Sequence, residues 1–473
     1  MLFYSSEFLI FFCIAFGVYF FLCKIADNRL QPALTWLALA SLFFCGYSRL
    51  EHILPLIGSA TINFILGRGI CSGKNQRRQW ALLTAGITLN IGVLGYFKYS
   101  NFFIANINAL FQTQAPFLQI VLPLGISYYT FQQIAYLVDC YKKPSQSSSS
   151  FIEYVLFVSF FPKLLSGPIM FHHETVTPLK DTANHKISFL NVSAGIWLFS
   201  MGFFKKVVFA DTFALWVNNG YASADQLSFW PAWTVSLLFT LQLYFDFSGY
   251  CDMATGVARM FNIHLPINFD SPYKSESIRD FWKTWHITLG RFLVQYLYYP
   301  LGGSHKGVFR TYINILLTFM ICGLWHGASW TFVIWGVVHG VAVSIHRAWG
   351  ELGMRMPRIA GIVLTFLFMN CSLVLPRAEN LHQVKQMLLA MFTSSDFSFQ
   401  KNAIVFGPDT PIWQGMVWLA AGMAIVFLFS NAIRKSYSFR PSAANLIFAA
   451  IIFTVSIFFA NLEIIRPFIY LNF

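Results

Sequence analysis

"EFLIFFCIAFGVYFFLC", residues 7–23, carries one charge, on Glu7 at its edge, and is apolar nearly throughout. A bilayer core of roughly 30 Å is crossed by about 20 apolar residues in a helix, with a lower limit near 17. No Lys or Arg precedes the run, and no small-residue cleavage site follows it. It therefore reads as a retained membrane anchor rather than a cleaved signal peptide. Similar windows recur along the chain at 33–47, 53–67, 80–98, 117–138, 151–168, 189–210, 230–248, 311–325, 328–346, 358–375, 411–430 and 444–460. Several are short or interrupted. The pattern predicts an all-α polytopic membrane protein with about 11–13 crossings, plus helices that are interfacial or only partly inserted.

Composition agrees. Of 473 residues, 56% are hydrophobic, 18% aromatic and only 11% charged, with mean hydropathy +0.58. Soluble domains carry about 25% charged residues, so this chain cannot face water all round, and its outer surface meets membrane lipids. No soluble domain can be cut out, and residues 1–473 read as one integral-membrane domain. The net charge of +13 sits in short connectors with no polar domain behind it, which excludes a nucleic-acid surface and marks topology instead. The loop 68–79, with Arg68, Lys74, Arg77 and Arg78, is expected in the cytoplasm, as is the loop with Arg434, Lys435 and Arg440. Counting spans from these puts both termini outside. The tract Ser145–Ser150 reads as a flexible polar connector. The eight cysteines are scattered, without a C-x-x-C, and read as small buried hydrophobes.

One segment is too polar to cross lipid and too aromatic for a free loop. Between Asn268 and Lys306 it carries Asp270, Lys274, Glu276, Arg279, Asp280, Lys283 and Arg291 among aromatic residues. It reads as one or two amphipathic helices at or just below the cytoplasmic interface. Within it "DFWKTWHITLGRF" (280–292) sets Trp282, Trp285 and His286 at i, i+3 and i+4, on one face of a helix. "YYPLGG" then ends the helix. A second Trp-His pair, Trp325–His326, lies in "CGLWHGAS". An ionisable group at membrane depth is expensive and points to function. Imidazole suits acyl transfer, because it can take the proton of an attacking hydroxyl near neutral pH, while a second polar group orients the acyl carbonyl. His339 and His346 share a helix face without further ligands nearby in sequence and read as packing residues. His172, His173 and Glu174 read as a surface connector. No G-x-S-x-G, H-E-x-x-H or Walker loop supports a hydrolase, metalloprotease or ATPase.

These strings together resemble the membrane-bound O-acyltransferase (MBOAT) family, in its bacterial alginate O-acetylase branch. The resemblance runs almost end to end, through "MLFYSSEFLIFF", "LNIGVLGYFKYSNFF", "VLPLGISYYTFQQIAYLVDCY", "FVSFFPKLLSGPI", "YFDFSGYCDMATGVARMFNIHLPINFDSPY", "FWKTWHITLGRFLVQYLYYPLGG", "GLWHGASWTFVIWGVVHG" and the closing "PFIYLNF". It implies a ring of helices around a thin centre, with funnels from both faces meeting near an essential histidine. That residue maps to His326 and the second family histidine to His286. The chain departs from the branch at Val294 and Gln295, where an Arg-Asp pair is usual, and at Ser304 and His305 in place of Asn-Arg. Both central histidines are kept.

The resemblance implies an O-acetyltransferase of the bacterial inner membrane with no resident cofactor. It would move acetyl from a cytoplasmic donor, acetyl-CoA, toward an extracytoplasmic partner protein that esterifies a polysaccharide such as alginate or peptidoglycan. His326 and His286 are the expected catalytic residues. Trp282, Trp285, Lys283, Arg291 and Trp325 are the expected substrate-binding residues, with the two cations suited to a phosphorylated donor. D-alanyl transfer to teichoic acid, a donor channel without chemistry and a membrane scaffold are the rival readings.

Overall fold

Helices carry most of the chain in a computed structural model that describes residues 1, 3–25, 30–143 and 150–462, and no strand occurs among them. Residues 145–149 of the polar tract and the closing "PFIYLNF" lie outside the described residues. Eight helical stretches are long and apolar enough to cross a membrane: Ser6–Ile25, Leu50–Ser72, Gln76–Phe111, Phe189–Ala222, Val308–His326, Trp330–Glu351, Arg358–Arg377 and Ala443–Asn461. Two shorter apolar helices, Gln31–Gly46 and Ile412–Leu428, add to them.

Thirteen windows in the sequence thus reduce to fewer full spans, for local reasons. In the window 117–138 the chain stays irregular through Pro123 and starts its helix only after Gly125, which has φ +72°. A Cβ at Gly125 would also come within 2.5 Å of the Leu164 carbonyl oxygen. The window 151–168 breaks after Ser159, just before Pro162, and Pro168 keeps the chain from re-entering a helix there. The window 230–248 lies inside a helix of 32 residues.

The described residues fall into two compact units. The first comprises Met1–Phe199 and Met253–Pro266. Its helices are α1 (Ser6–Ile25), α2 (Gln31–Gly46), α3 (Ile53–Ser72), α4 (Gln76–Leu94), α5 (Ser100–Phe111), α6 (Ile126–Lys142), α7 (Phe151–Ser159), α8 (His172–Lys180) and most of α9 (Phe189–Phe204). Phe8, Phe44, Phe161 and Phe261 are fully buried at its centre. Asn63 and Asn90 pair their side-chain amides between α3 and α4, at 2.6 and 3.3 Å, so neither is left bare in an apolar setting. The tight basic turn before α4 is closed by Asn75, whose side chain accepts from the backbone N–H of Arg77 and Arg78.

The second unit comprises Ser200–Asp252 and the described chain from Ile267 onward. It holds α10 (Asp211–Ala222), most of α11 (Phe229–Met260), α12 (Ile278–Thr284), α13 (Ile287–Leu293), α14 (Val308–His326), α15 (Trp330–Glu351), α16 (Arg358–Ser372), α17 (Val374–Arg377), α18 (Leu381–Thr393), α19 (Ala403–Phe406), α20 (Ile412–Leu428), α21 (Ala432–Tyr437) and α22 (Ala443–Leu462). A π-turn, Lys205–Ala210, swings two lysines inward against α11. Lys205 pairs with Asp252 at 2.6 Å, and Lys206 with Asp211 at 2.8 Å and Asp246 at 2.7 Å. All five side chains are buried. Gly249 permits this approach, since a Cβ there would lie 2.8 Å from the Gly202 carbonyl oxygen. α14 and α15 form a hairpin through Gly323 and Gly336, where a Cβ on Gly323 would clash with the Phe332 carbonyl and sit 3.0 Å from the Gly336 Cα.

Two outcomes test this architecture. A cysteine at position 76, in a background without the native cysteines, is expected to react with an impermeant thiol reagent only from the cytoplasmic side; labelling from outside would overturn the assigned orientation. Asp252→Leu strands the Lys205 charge and is expected to destabilise the detergent-solubilised protein by about 3–5 kcal/mol. The double change Lys205→Met with Asp252→Leu should recover most of that loss, as read by unfolding midpoints.

Candidate active site

The segment before α14 forms two short helices separated by a sharp turn. Ser277 starts α12 by accepting from the Asp280 N–H and donating to its carboxylate at 2.7 Å, a reciprocal cap. The helix stops at Thr284. Trp285 is extended, and His286 takes φ +47°, ψ +49° before α13 begins. The expectation that Trp282, Trp285 and His286 share one helical face is therefore corrected: the turn sends the three side chains to different partners. Left-handed backbone is costly for a residue with a Cβ and tends to occur where surrounding structure imposes it.

Asn268 imposes it. Its carbonyl oxygen accepts from the Ile287 N–H at 2.9 Å, and its side-chain oxygen accepts from the Thr288 N–H at 3.2 Å and hydroxyl at 2.8 Å. A backbone N–H can only donate, so the orientation of the Asn268 amide is fixed. The same oxygen lies 3.3 Å from His286 Nδ1, which must then carry the proton. The Asn268 amide nitrogen donates onward to Cys251 Sγ at 3.5 Å. His286 is 1% exposed, and burial pulls its pKa down to about 3. It is a neutral imidazole whose Nε2 bears a lone pair.

His326 ends α14, with the Gly327 N–H closing on Gly323 at 3.3 Å before the chain turns extended. Its ring centre lies 6.2 Å from that of His286 and 5.3 Å, edge-on, from Trp335. Trp325 touches both histidines, with ring centres 4.9 Å from His326 and 6.2 Å from His286. Phe247 of α11 stands edge-on to His286 at 4.9 Å. Trp285 stacks on Phe281 at 5.5 Å and meets Phe269 edge-on. A narrow cavity beside His326 is walled by Phe239, Leu243, Trp285, Phe332, Trp335 and Met369. At about 20 Å³ it has room for roughly one water molecule.

The remaining residues singled out in the sequence stand apart from this cavity. Trp282 donates its indole N–H to His339 Nδ1 at 3.2 Å. His339 Nε2 then donates to Ser372 Oγ at 3.1 Å, and Ser372 to the Met369 carbonyl at 3.0 Å. His339 thus spends both ring nitrogens on holding α12, α15 and α16 together, in line with a packing role. Lys283 is exposed and pairs with Asp280 at 2.8 Å; Arg291 is half-buried on α13. In the first unit His172, read from the sequence as surface, is buried against Tyr136 and Phe157 at 5.2 and 5.3 Å, while His173 is exposed. Asn268, Thr288, Cys251 and Trp335 were not singled out. All four lie inside the strings quoted above, but nothing there marked them, because their partners are brought together by the fold rather than by spacing.

Two buried imidazoles, one of them walling an apolar cavity, can accept a hydroxyl's proton and hold an acyl group away from water. Comparison with known proteins agrees with that chemistry. The chain is 43% identical to a peptidoglycan O-acetyltransferase of Helicobacter pylori, over 80% of this chain and 77% of the relative. It is 37% identical to a probable alginate O-acetylase AlgI of Pseudomonas putida, over 85% and 82%. A teichoic acid D-alanyltransferase of Streptococcus thermophilus is 27% identical, over 48% and 57%. The sequence model of the membrane-bound O-acyltransferase family matches residues 78–377, which span α4 through α17 and include both histidines. This chain is a multi-pass membrane enzyme and belongs to the membrane-bound O-acyltransferase family.

Proposed function

We propose that this acyltransferase moves acetyl from cytoplasmic acetyl-CoA through the bacterial inner membrane for O-acetylation of an extracytoplasmic polysaccharide. The observation that carries the reading is the pair of buried imidazoles, 6.2 Å apart, beside a cavity lined by apolar side chains. His326 takes the proton of the attacking hydroxyl. The hydroxyl oxygen bonds to the thioester carbon, and the carbonyl electron pair moves onto its oxygen. Collapse of that adduct expels the CoA thiolate, which recovers the proton from His326. His286, neutral and with its lone pair on Nε2, accepts a hydrogen bond within the site and orients the reacting groups. The hydroxyl belongs to an extracytoplasmic partner protein that passes acetyl on to sugar. The 43% identity to a peptidoglycan O-acetyltransferase, against 37% to an alginate O-acetylase, favours peptidoglycan as the final acceptor.

His326→Ala is expected to lower acetyl transfer by about 10²–10⁴-fold at unchanged membrane abundance, read as ester content of purified peptidoglycan. Normal ester content in a well-expressed variant would remove His326 from the mechanism. Asn268→Ala should release the His286 tautomer and reduce turnover, and ¹⁵N spectra of labelled histidine should lose the Nδ1–H signature of the wild type. Arg291 and Lys283 are the cations proposed to meet the donor's phosphates. Arg291→Gln is expected to raise KM for acetyl-CoA more than it lowers kcat, since such contacts bind ground and transition states alike. Lys283, exposed and already paired, should matter less.

A further inference from the structure

Three indole N–H groups in this protein are spent on acceptors. Trp36 donates to the Ala15 carbonyl at 3.1 Å, Trp233 to the Met391 carbonyl at 2.9 Å and Trp282 to His339 at 3.2 Å. Trp335 differs. It is 5% exposed, and its Nε1 is sealed from solvent without an acceptor among the described residues. A buried donor left in that condition costs free energy and calls for an explanation. Its surroundings supply one. Trp335 walls the same cavity as His326, with ring centres 5.3 Å apart and planes at 85°. The ring cannot easily turn away. Trp282 packs on it at 5.9 Å and His339 at 4.8 Å, and its helix is pinned at the next residue, Gly336, against α14.

The chemistry of the site needs such a donor. When a hydroxyl attacks a thioester, negative charge gathers on the carbonyl oxygen, and a pre-placed N–H in a dry cavity stabilises it. The neutral His286 cannot serve from Nε2, because its proton is held on Nδ1 by Asn268. His326 is occupied with the hydroxyl's proton. We propose that the Trp335 indole N–H donates to the acyl carbonyl oxygen and binds it more tightly as the oxyanion forms. This rests on the acyl-transfer reading given above and adds a residue to it. No bond to Trp335 is made or broken: the N–H keeps its proton while the adduct forms and collapses, so the proton and electron balance of the transfer is unchanged.

The test replaces Trp335 in the full-length enzyme with benzothienylalanine, which keeps the two fused rings and puts sulfur in place of the N–H. Trp335→Phe is the companion variant. Each is assayed in vesicles with acetyl-CoA and with its thiocarbonyl analogue, in which sulfur replaces the acyl oxygen and accepts hydrogen bonds poorly. The benzothienylalanine enzyme is expected to lose about 10²-fold in kcat with KM little changed. The rate penalty of the thiocarbonyl donor, present in the wild type, should shrink in both variants. A merely structural tryptophan would leave that oxygen-to-sulfur ratio as it was. Wild-type kcat in the benzothienylalanine enzyme, a change in KM alone, or an unaltered ratio would each overturn the inference while leaving acetyl transfer by the wild type intact. A wild type inert toward acetyl-CoA would instead overturn the parent reading, and this inference with it.

Discussion

Two lysines and three aspartates buried against α11 hold the second unit in register. Charges taken out of water cost several kcal/mol each unless geometry and hydrogen bonds offset the loss. Lys205 with Asp252, and Lys206 with Asp211 and Asp246, meet that condition at 2.6–2.8 Å. Asp246 and Asp252 lie on one side of α11, and Phe247 and Cys251 lie roughly half a turn round. The first pair can bind its lysines only if α11 is rotated so that the second pair faces His286 and Asn268. Phe247 meets the His286 ring and Cys251 receives the Asn268 amide. The ion pairs therefore fix the wall behind the site without touching it.

The π-turn that carries Lys205 and Lys206 belongs to the same logic. One widened turn shifts the helix face by part of a residue step, so two adjacent lysines both reach inward. A second such turn, Val294–Tyr298, follows α13 and precedes the Pro300–Gly303 corner. Between them, the turn at His286 divides the expected amphipathic segment into two short helices. The second unit is thus built from interrupted helices, and the interruptions at Lys205–Ala210 and at His286 aim polar side chains into protein rather than lipid.

Much of this was legible in the chain. Apolar windows near residues 7, 53, 80, 189, 311, 328, 358 and 444 fall in helices long and apolar enough to span a membrane, because an 18-residue apolar stretch has few alternatives in a bilayer. The polar-aromatic segment 268–306 was recognisable as something other than a span for the same reason. Its internal geometry was not. Helical spacing placed Trp282, Trp285 and His286 on one face, but a single left-handed residue undoes that inference, and nothing in "KTWHIT" announces it. Asn268 escaped notice because its role depends on four partners spread from residue 251 to residue 288. Trp335 escaped because a tryptophan in an apolar helix is ordinary; only its contacts show that its N–H meets no acceptor among the described residues.

The chain of donors from Trp282 through His339 and Ser372 to the Met369 carbonyl has a consequence for the membrane itself. Imidazole–hydroxyl rows are natural proton wires, since each member can receive a proton on one side and release one on the other. This row is stopped at both ends. An indole N–H does not release its proton at any physiological pH, and an amide carbonyl has none to pass on. His339 cannot reload without breaking a bond it already makes. A polar seam that ties three helices together inside an energised membrane is therefore an electrical insulator: it supplies cohesion while leaving the proton gradient across it intact.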